Sequence, residues 1–209
     1  WQLQRLQWKT DLIAELDESY SAPARDLSGV EISNLSAEKA RFLKVQITGR
    51  FLAEKSILLP SKIYKSEVGQ HMLSAFAFAG SDHVALTNLG WVPDDMTLEN
   101  AQKLIPREQV KLKAVLKEAG KPNAFFPENN PEEQSWYWAD PKAFAQKHDI
   151  STAYMVTDFI LEKLPASKEA GLPYAAGDQP ELRNDHRNYA IFWFSMAAVL
   201  IVIYGLLFK

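Results

Sequence analysis

Cysteine is absent from the 209 residues. Disulfides, thiolate nucleophiles, zinc knuckles, iron–sulfur clusters and covalent c-type haem attachment are therefore excluded together. Copper delivery is disfavoured for the same reason, because Cu(I) sites favour thiolate or thioether ligands and the four Met residues are scattered. A surplus of positive charge is also missing: 23 Lys and Arg face 26 Asp and Glu, for a formal charge of -3. Such a balance gives no electrostatic footprint for nucleic acid. GxSxG, the P-loop pattern, HExxH and GxGxxG are all absent, so the sequence offers no motif with an interpretable catalytic mechanism.

What the chain does have is one long apolar run. Residues 189–208 read YAIFWFSMAAVLIVIYGLLF, with no charge and with eleven Leu, Ile, Val or Phe. A helix of that length rises about 30 Å, the thickness of a bilayer's hydrocarbon core. Tyr189 and Trp193 stand near one end and Tyr204 near the other, where amphipathic rings favour the interface. The alternative is a buried core helix. At the opposite terminus WQLQRLQWK reads either as the interfacial exit of a first membrane helix or as an amphipathic helix lying on a surface. Arg183 and Arg187 flank one end of the C-terminal run and Lys209 the other, a balance that does not set topology.

The polar remainder, residues 10–183, is long enough to fold independently. Helical spacing in Leu12, Ile13 and Leu16, an Ala-rich stretch after Ser36, a segment over Leu98–Leu104 stopped by Pro106, and the Asp140-Pro141 start predict helices. Period-two runs predict strands in FLKVQITGRF, SILLP, MLSAFAFA, HVALTNLGWV, VKLKAVL and TAYMVTDFILEKL. Gly69, Gly80-Ser81-Asp82 and Gly120-Lys121-Pro122-Asn123 are expected as turns. The spacing suggests adjacent antiparallel strands without long crossover helices. The fold class expected is α+β: a β-rich, mainly antiparallel extramembrane domain (10–183) flanked by transmembrane helices. Residues 184–209 supply the C-terminal span, and 1–9 only the exit end of an N-terminal one.

Candidate chemistry is sparse. His71 and His83 begin two expected neighbouring strands and could meet, although a hydrogen-bonded or solvated role fits a pair at strand ends. His148 falls near a helix C-terminus, where a partly positive imidazole suits the dipole. Glu128, Glu132, Glu133 and the pair Asp94-Asp95 lie in turn-like sequence and read as a solvated face. His186 stands just ahead of the apolar run. A helix through it places His186, Ala190, Trp193 and Ala197 on one stripe. That stripe could receive a planar macrocycle with iron on His186 and propionates near Arg183 or Arg187. It reads equally as an interfacial histidine beside a helix-packing stripe.

Several blocks together resemble the surfeit locus protein 1 family of cytochrome c oxidase assembly factors. WQLQRLQWK resembles the end of the family's first membrane helix and KVQITGRF its first core strand. NLGWVP (88–93) resembles its asparagine–arginine–glycine–tryptophan–valine signature. PNAFFPENNPEEQSWYWAD (122–140) is similar to its next block and NDHRNYAIFWF (184–194) to the start of its second membrane helix. Two departures stand out: Leu89 where the signature carries Arg, and Arg187 where an apolar residue follows the histidine.

The resemblance implies a non-enzymatic, two-span inner-membrane protein, bacterial or mitochondrial, with its β-rich domain on the periplasmic or intermembrane-space side. It implies assistance in inserting haem a into oxidase subunit I, with His186 as the expected iron ligand and Trp193 as packing surface. Expected partners are the oxidase subunits, haem a synthase and the lipid bilayer, and no nucleic acid. The competing expectation is a membrane-tethered scaffold or accessory subunit that docks on the oxidase through Trp and Phe residues around 125–138 and carries no haem.

Overall fold

In the computed structural model, which describes residues 2–120, 125–166, 171–177 and 186–207 without the side chains of residues 2, 3, 37, 38, 186 and 187, the period-two runs become strands. β1 is Arg25–Asp26, β2 Lys44–Tyr64, β3 Glu67–Phe78, β4 Val84–Pro93, β5 Val110–Glu118 and β6 Met155–Lys163. The helices are α1 Gln2–Ser21, α2 Gly29–Ser33, α3 Ala37–Ala40, α4 Leu98–Lys103, α5 Pro141–Lys147 and α6 His186–Leu207. Asp140 caps α5 by accepting from Lys142 N and Ala143 N at 3.0 and 3.1 Å.

FLKVQITGRF and SILLP are one strand rather than two. At 21 residues, β2 would extend roughly 70 Å if straight. It bends instead, at register irregularities between Leu52 and Ser56 and between Leu59 and Lys62. Its first part pairs with β5, and from Gly49 onward it pairs with β3. The sheet order β1-β2-β3-β4-β6-β5, with β2 also on β5, closes a five-stranded ring. A ring with an odd number of strands cannot alternate direction at every seam, so one pairing has to be parallel. That seam is β4–β6. The sheet is thus mixed, and the expected mainly antiparallel arrangement holds except at β4–β6 and at the short parallel β1–β2 pair. Numbered from β2, the ring runs first, second, third, fifth, fourth, the connectivity of a Greek-key barrel of the OB type.

One apolar cluster fills the barrel, with Val45, Ile47, Phe51, Met72, Phe76, Leu112, Leu116, Phe159 and Leu161 among its members, and Ile32 and Ala101 add α2 and α4 to it. A second covers the outer face: Leu73, Leu86 and Ile160 pack with Trp136 and with Phe144 of α5. Gly69 is not a turn. It pairs with Pro93 inside the β3–β4 ladder. The β2–β3 reversal is made by Lys65 and Ser66, at φ 47° and 70°, the two positive-φ positions of a tight hairpin.

The chain divides into two compact units, Ala22–Asp178 and a second formed by Trp1–Ser21 with Gln179–Lys209. The division expected at 9/10 falls inside the continuous helix α1. Within the second unit α1 packs on α6, and Leu16 and Ala190 are buried. Asn188–Leu207 is the one helix among the described residues long and apolar enough to cross a membrane. Its Ile191, Leu200, Ile201, Leu206 and Leu207 are more than half exposed. A core helix would have hidden them, so the buried-helix alternative fails. Ser195 Oγ donates to Ile191 O at 2.7 Å, which satisfies the hydroxyl within its own helix.

At the end of β4, Gly90 has φ 132°, and a Cβ placed there would stand 2.0 Å from Tyr174 O. Gly90→Ala is expected to destabilise the barrel by about 2 kcal/mol or more, combining strain and clash. Gly120→Ala, with nothing within 4 Å of its added Cβ, should stay within about 0.5 kcal/mol. Urea midpoints of the full chain in detergent check both.

Candidate functional site

The NLGWVP block supplies the geometry of the site. Leu73 pairs with Asn88 and Met72 with Gly90, so Leu89 is the extra residue of a β-bulge. Leu89 turns into the barrel, 2% exposed, among the apolar core. A guanidinium at this position would need a partner there. Asn88, on the outer face, holds two groups at once. Its Oδ1 accepts from Gly90 N at 3.1 Å, and its amide nitrogen lies 3.0 Å from His71 Nδ1. Because the Gly90 N–H fixes Oδ1, the Asn88 Nδ2 is left as donor toward His71. Nδ1 must then be the acceptor, and the neutral ring carries its proton on Nε2.

Trp91, 4% exposed, closes the block. Its Nε1 donates to Lys62 O at 3.2 Å. Trp91 N donates to Tyr174 O at 2.7 Å and Tyr174 N to Trp91 O at 2.9 Å. The Tyr174 ring stacks on Tyr64 with centroids 4.8 Å apart. Gly69 is required beneath this stack, since a Cβ there would meet the Trp91 ring at 2.5 Å.

His71 lines a pocket of about 300 Å³ with Leu59, Lys62, Leu73, Asn88, Lys117, Trp138, Ile160 and Glu162. Five strands contribute, and the pocket lies on the outer face of the second and third barrel strands, β3 and β4, where OB-type barrels bind their ligands. Burial, and then the nearby charges of Lys62 and Lys117, push His71 down from 6.5 to about 4. Burial, then Lys117, also lowers Lys62, opposed by Glu162. Lys117 Nζ meets Glu162 Oε1 at 3.0 Å. A larger cleft of about 480 Å³ lies along β2 and α5, lined by Glu54, Trp136, Lys147 and His148. Its charges are already paired, Glu54 with Arg107 at 3.0 Å and Lys147 with Glu132 at 3.9 Å.

Several expectations about individual residues change. His71 and His83 do not meet: His71 pairs with Trp91 at one end of the β3–β4 ladder, whereas His83 precedes Val84 at the other. Burial, followed by Lys55 and Lys147, lowers His148, which works against the cation expected to serve the dipole. Lys55 serves it instead, donating Nζ to His148 O at the end of α5. Trp136 is not a contact surface, being 2% exposed and packed near Phe144. Phe125, Phe126 and Tyr137 carry the exposure in that block, at 96%, 52% and 42%. Glu128, Glu132, Glu133, Asp94 and Asp95 are exposed, as expected of a solvated face.

His186 and Arg187 open α6 but their side chains lie outside the described residues, as does Arg183 altogether. Trp193 is 56% exposed, whereas Ala190, between it and His186, is 5% exposed. Ala190 therefore presents little free surface on that stripe. No group of three or more His, Asp or Glu able to hold a metal occurs among the described residues. Sequence reading passed over the His71 pocket because its residues are spread over five strands. The Asn88–Gly90 spacing within NLGWVP was the available signal.

His71 sets a pH dependence. Its folded pKa is below the unfolded value, so the unfolded chain binds the extra proton between about pH 6.5 and 4. Stability is full above that window and falls as pH drops through it, with His148 contributing in the same direction. Urea midpoints measured from pH 7 to 4.5 should decline, and His71→Gln should flatten the decline; equal slopes would contradict the assignment. Asn88→Asp leaves only acceptors facing Nδ1 and should raise the His71 pKa toward or beyond 6.5, read from its ring-carbon NMR titration.

The SURF1 family model matches residues 1–198. A SURF1-like protein of Caenorhabditis elegans is 28% identical over 224 residues, covering 98% of this chain and 67% of the relative. Surfeit locus protein 1 of Mus musculus is 27% identical over 215 residues, covering 95% and 67%. A SURF1-like protein of Rickettsia bellii is 26% identical over 210 residues, covering 98% and 82%. With nearly its whole length matched, signature block included, the chain belongs to the SURF1 family.

Proposed function

We propose that this protein is a membrane-anchored, non-enzymatic assembly factor for cytochrome c oxidase, and that it assists insertion of haem a into subunit I. The observation that carries the reading is the family match over residues 1–198 running into a helix, Asn188–Leu207, fit to cross a bilayer. On this reading α6 sits in the inner membrane of a bacterium or mitochondrion, with the barrel on the periplasmic or intermembrane-space side. Oxidase subunits, subunit I above all, and haem a synthase are its partners.

Haem a, when bound, would supply the iron and the flat macrocycle to be handed on. Ala190, in the middle of the His186–Trp193 stripe, is buried, so a macrocycle held there would rest on the exposed Trp193 rather than on Ala190. His186 is left as the group proposed to touch iron, by the donor chemistry of an imidazole at the water end of an apolar helix. A single such ligand suits cargo that has to be released. Arg183 and Arg187 are proposed near the propionates, with Trp193 as an exposed apolar face.

A second reading has one observation in its favour. Phe126 and Tyr137 are exposed on the barrel, as suits a scaffold that docks on the oxidase without cargo. Two variants separate the readings. In cells making haem a, His186→Ala should purify with at least tenfold less haem in its visible spectrum while still capturing oxidase subunits. Equal haem content would remove His186 from the mechanism. If docking alone is the function, Phe126→Ala with Tyr137→Ala should lose the oxidase in a pull-down and His186→Ala should leave assembly intact.

A further inference from the structure

The His71 pocket holds more hydrogen-bond donors than acceptors. Lys117 and Glu162 satisfy each other at 3.0 Å. Lys62, half-buried, has no ion-pair partner among the described residues. Trp138 Nε1 is buried and likewise without a hydrogen-bond partner there. His71, fixed through Nδ1 by Asn88, keeps Nε2–H as its remaining donor. Glu118, the other carboxylate of the lining, is exposed. Two ammonium groups, an imidazole N–H and an indole N–H thus line a small cavity whose one part-buried carboxylate, Glu162, already pairs with Lys117.

A buried indole N–H and a half-buried ammonium with no ion pair of its own are unfavourable unless something supplies the missing acceptors. The remaining walls are apolar, with Leu59, Leu73 and Ile160 from the strands and Phe126 and Trp138 from the covering segment. At about 300 Å³ the pocket lies at the low end of the range for small-molecule sites. We propose that it binds a small apolar monocarboxylate, of phenylalkanoate size, with the carboxylate on Lys62, Lys117 and His71 Nε2 and the apolar body against Leu59, Leu73 and Ile160. This site is separate from the iron ligand proposed at His186, and its occupancy requires no haem.

The test uses the full chain, haem-free, in lipid nanodiscs with ¹⁵N-labelled histidine. Four histidines give a tractable spectrum, and His71 is assigned by its loss in His71→Gln. At pH 7 it should show the Nε2–H tautomer. Millimolar 3-phenylpropionate should shift it saturably and leave His83 in place. Lys62→Met should weaken binding at least tenfold while keeping the same tautomer, and Trp138→Phe should weaken it severalfold. If Lys62→Met does not fold, Lys117→Met takes its place with the same expectation. Equal binding of 3-phenylpropionamide, equally strong binding of inorganic phosphate, no shift at His71, or full affinity in the lysine variant would each overturn the proposal.

Discussion

The double pairing of β2 is the constraint from which the rest of the barrel follows. Because its start is bound to β5 and its remainder to β3, the five strands have no free lateral edge to leave open. Closure with an odd count then imposes the parallel seam between β4 and β6. That seam brings Asn88 and Glu162 side by side as register partners. Across the neighbouring antiparallel pair, the bulge at Leu89 lets Asn88 reach His71. The candidate site therefore lies where the sheet departs from regular alternation, and its polar groups are placed by topology rather than by any local run of sequence.

The electrostatics follow from that placement. A histidine on the outer face of a barrel would ordinarily titrate near neutrality. Here a covering segment and two lysines hold it neutral, and the amide of Asn88 selects its tautomer. The same amide anchors Gly90 at its positive φ, so one side chain links backbone geometry to protonation state. Leu89 shows why this chain departs from the family signature without losing the loop. The position faces the barrel interior, and an apolar residue satisfies it without the partner that a charged one would require.

Much of the fold was legible in the sequence, and the reasons are local. Alternation gave the strands, Asp140-Pro141 gave α5, the Leu98–Leu104 segment stopped by Pro106 gave α4, and an uncharged run of twenty residues gave α6. Ser28 and Glu31 form a capping box for α2 that the same reading could have used. Other features were not legible because they depend on pairing at a distance. Nothing near residues 44–64 states that this strand has different partners along its length. Lys65-Ser66 makes a hairpin without the Asn or Gly that usually announces one. Gly69 looked like punctuation but serves ring packing under Trp91. Trp136 and Trp138 looked like a surface, yet α5 covers the first and the pocket seals the indole nitrogen of the second. At the C-terminal end the apolar run marked α6, whereas the burial of Ala190 arises from the second unit's own packing.

The pairing of α1 with α6 has a consequence for the order of synthesis. The barrel unit, Ala22–Asp178, is inserted between the two halves of the helical unit. During translation the first helix emerges long before its partner exists, whereas every strand of the barrel is complete before the apolar helix begins. A vectorially made chain can thus close the ring first, and the folded insert then shortens the gap that the two helices have to bridge. On that order the helical pairing would follow the barrel, and α6 would join a domain whose strands are already paired.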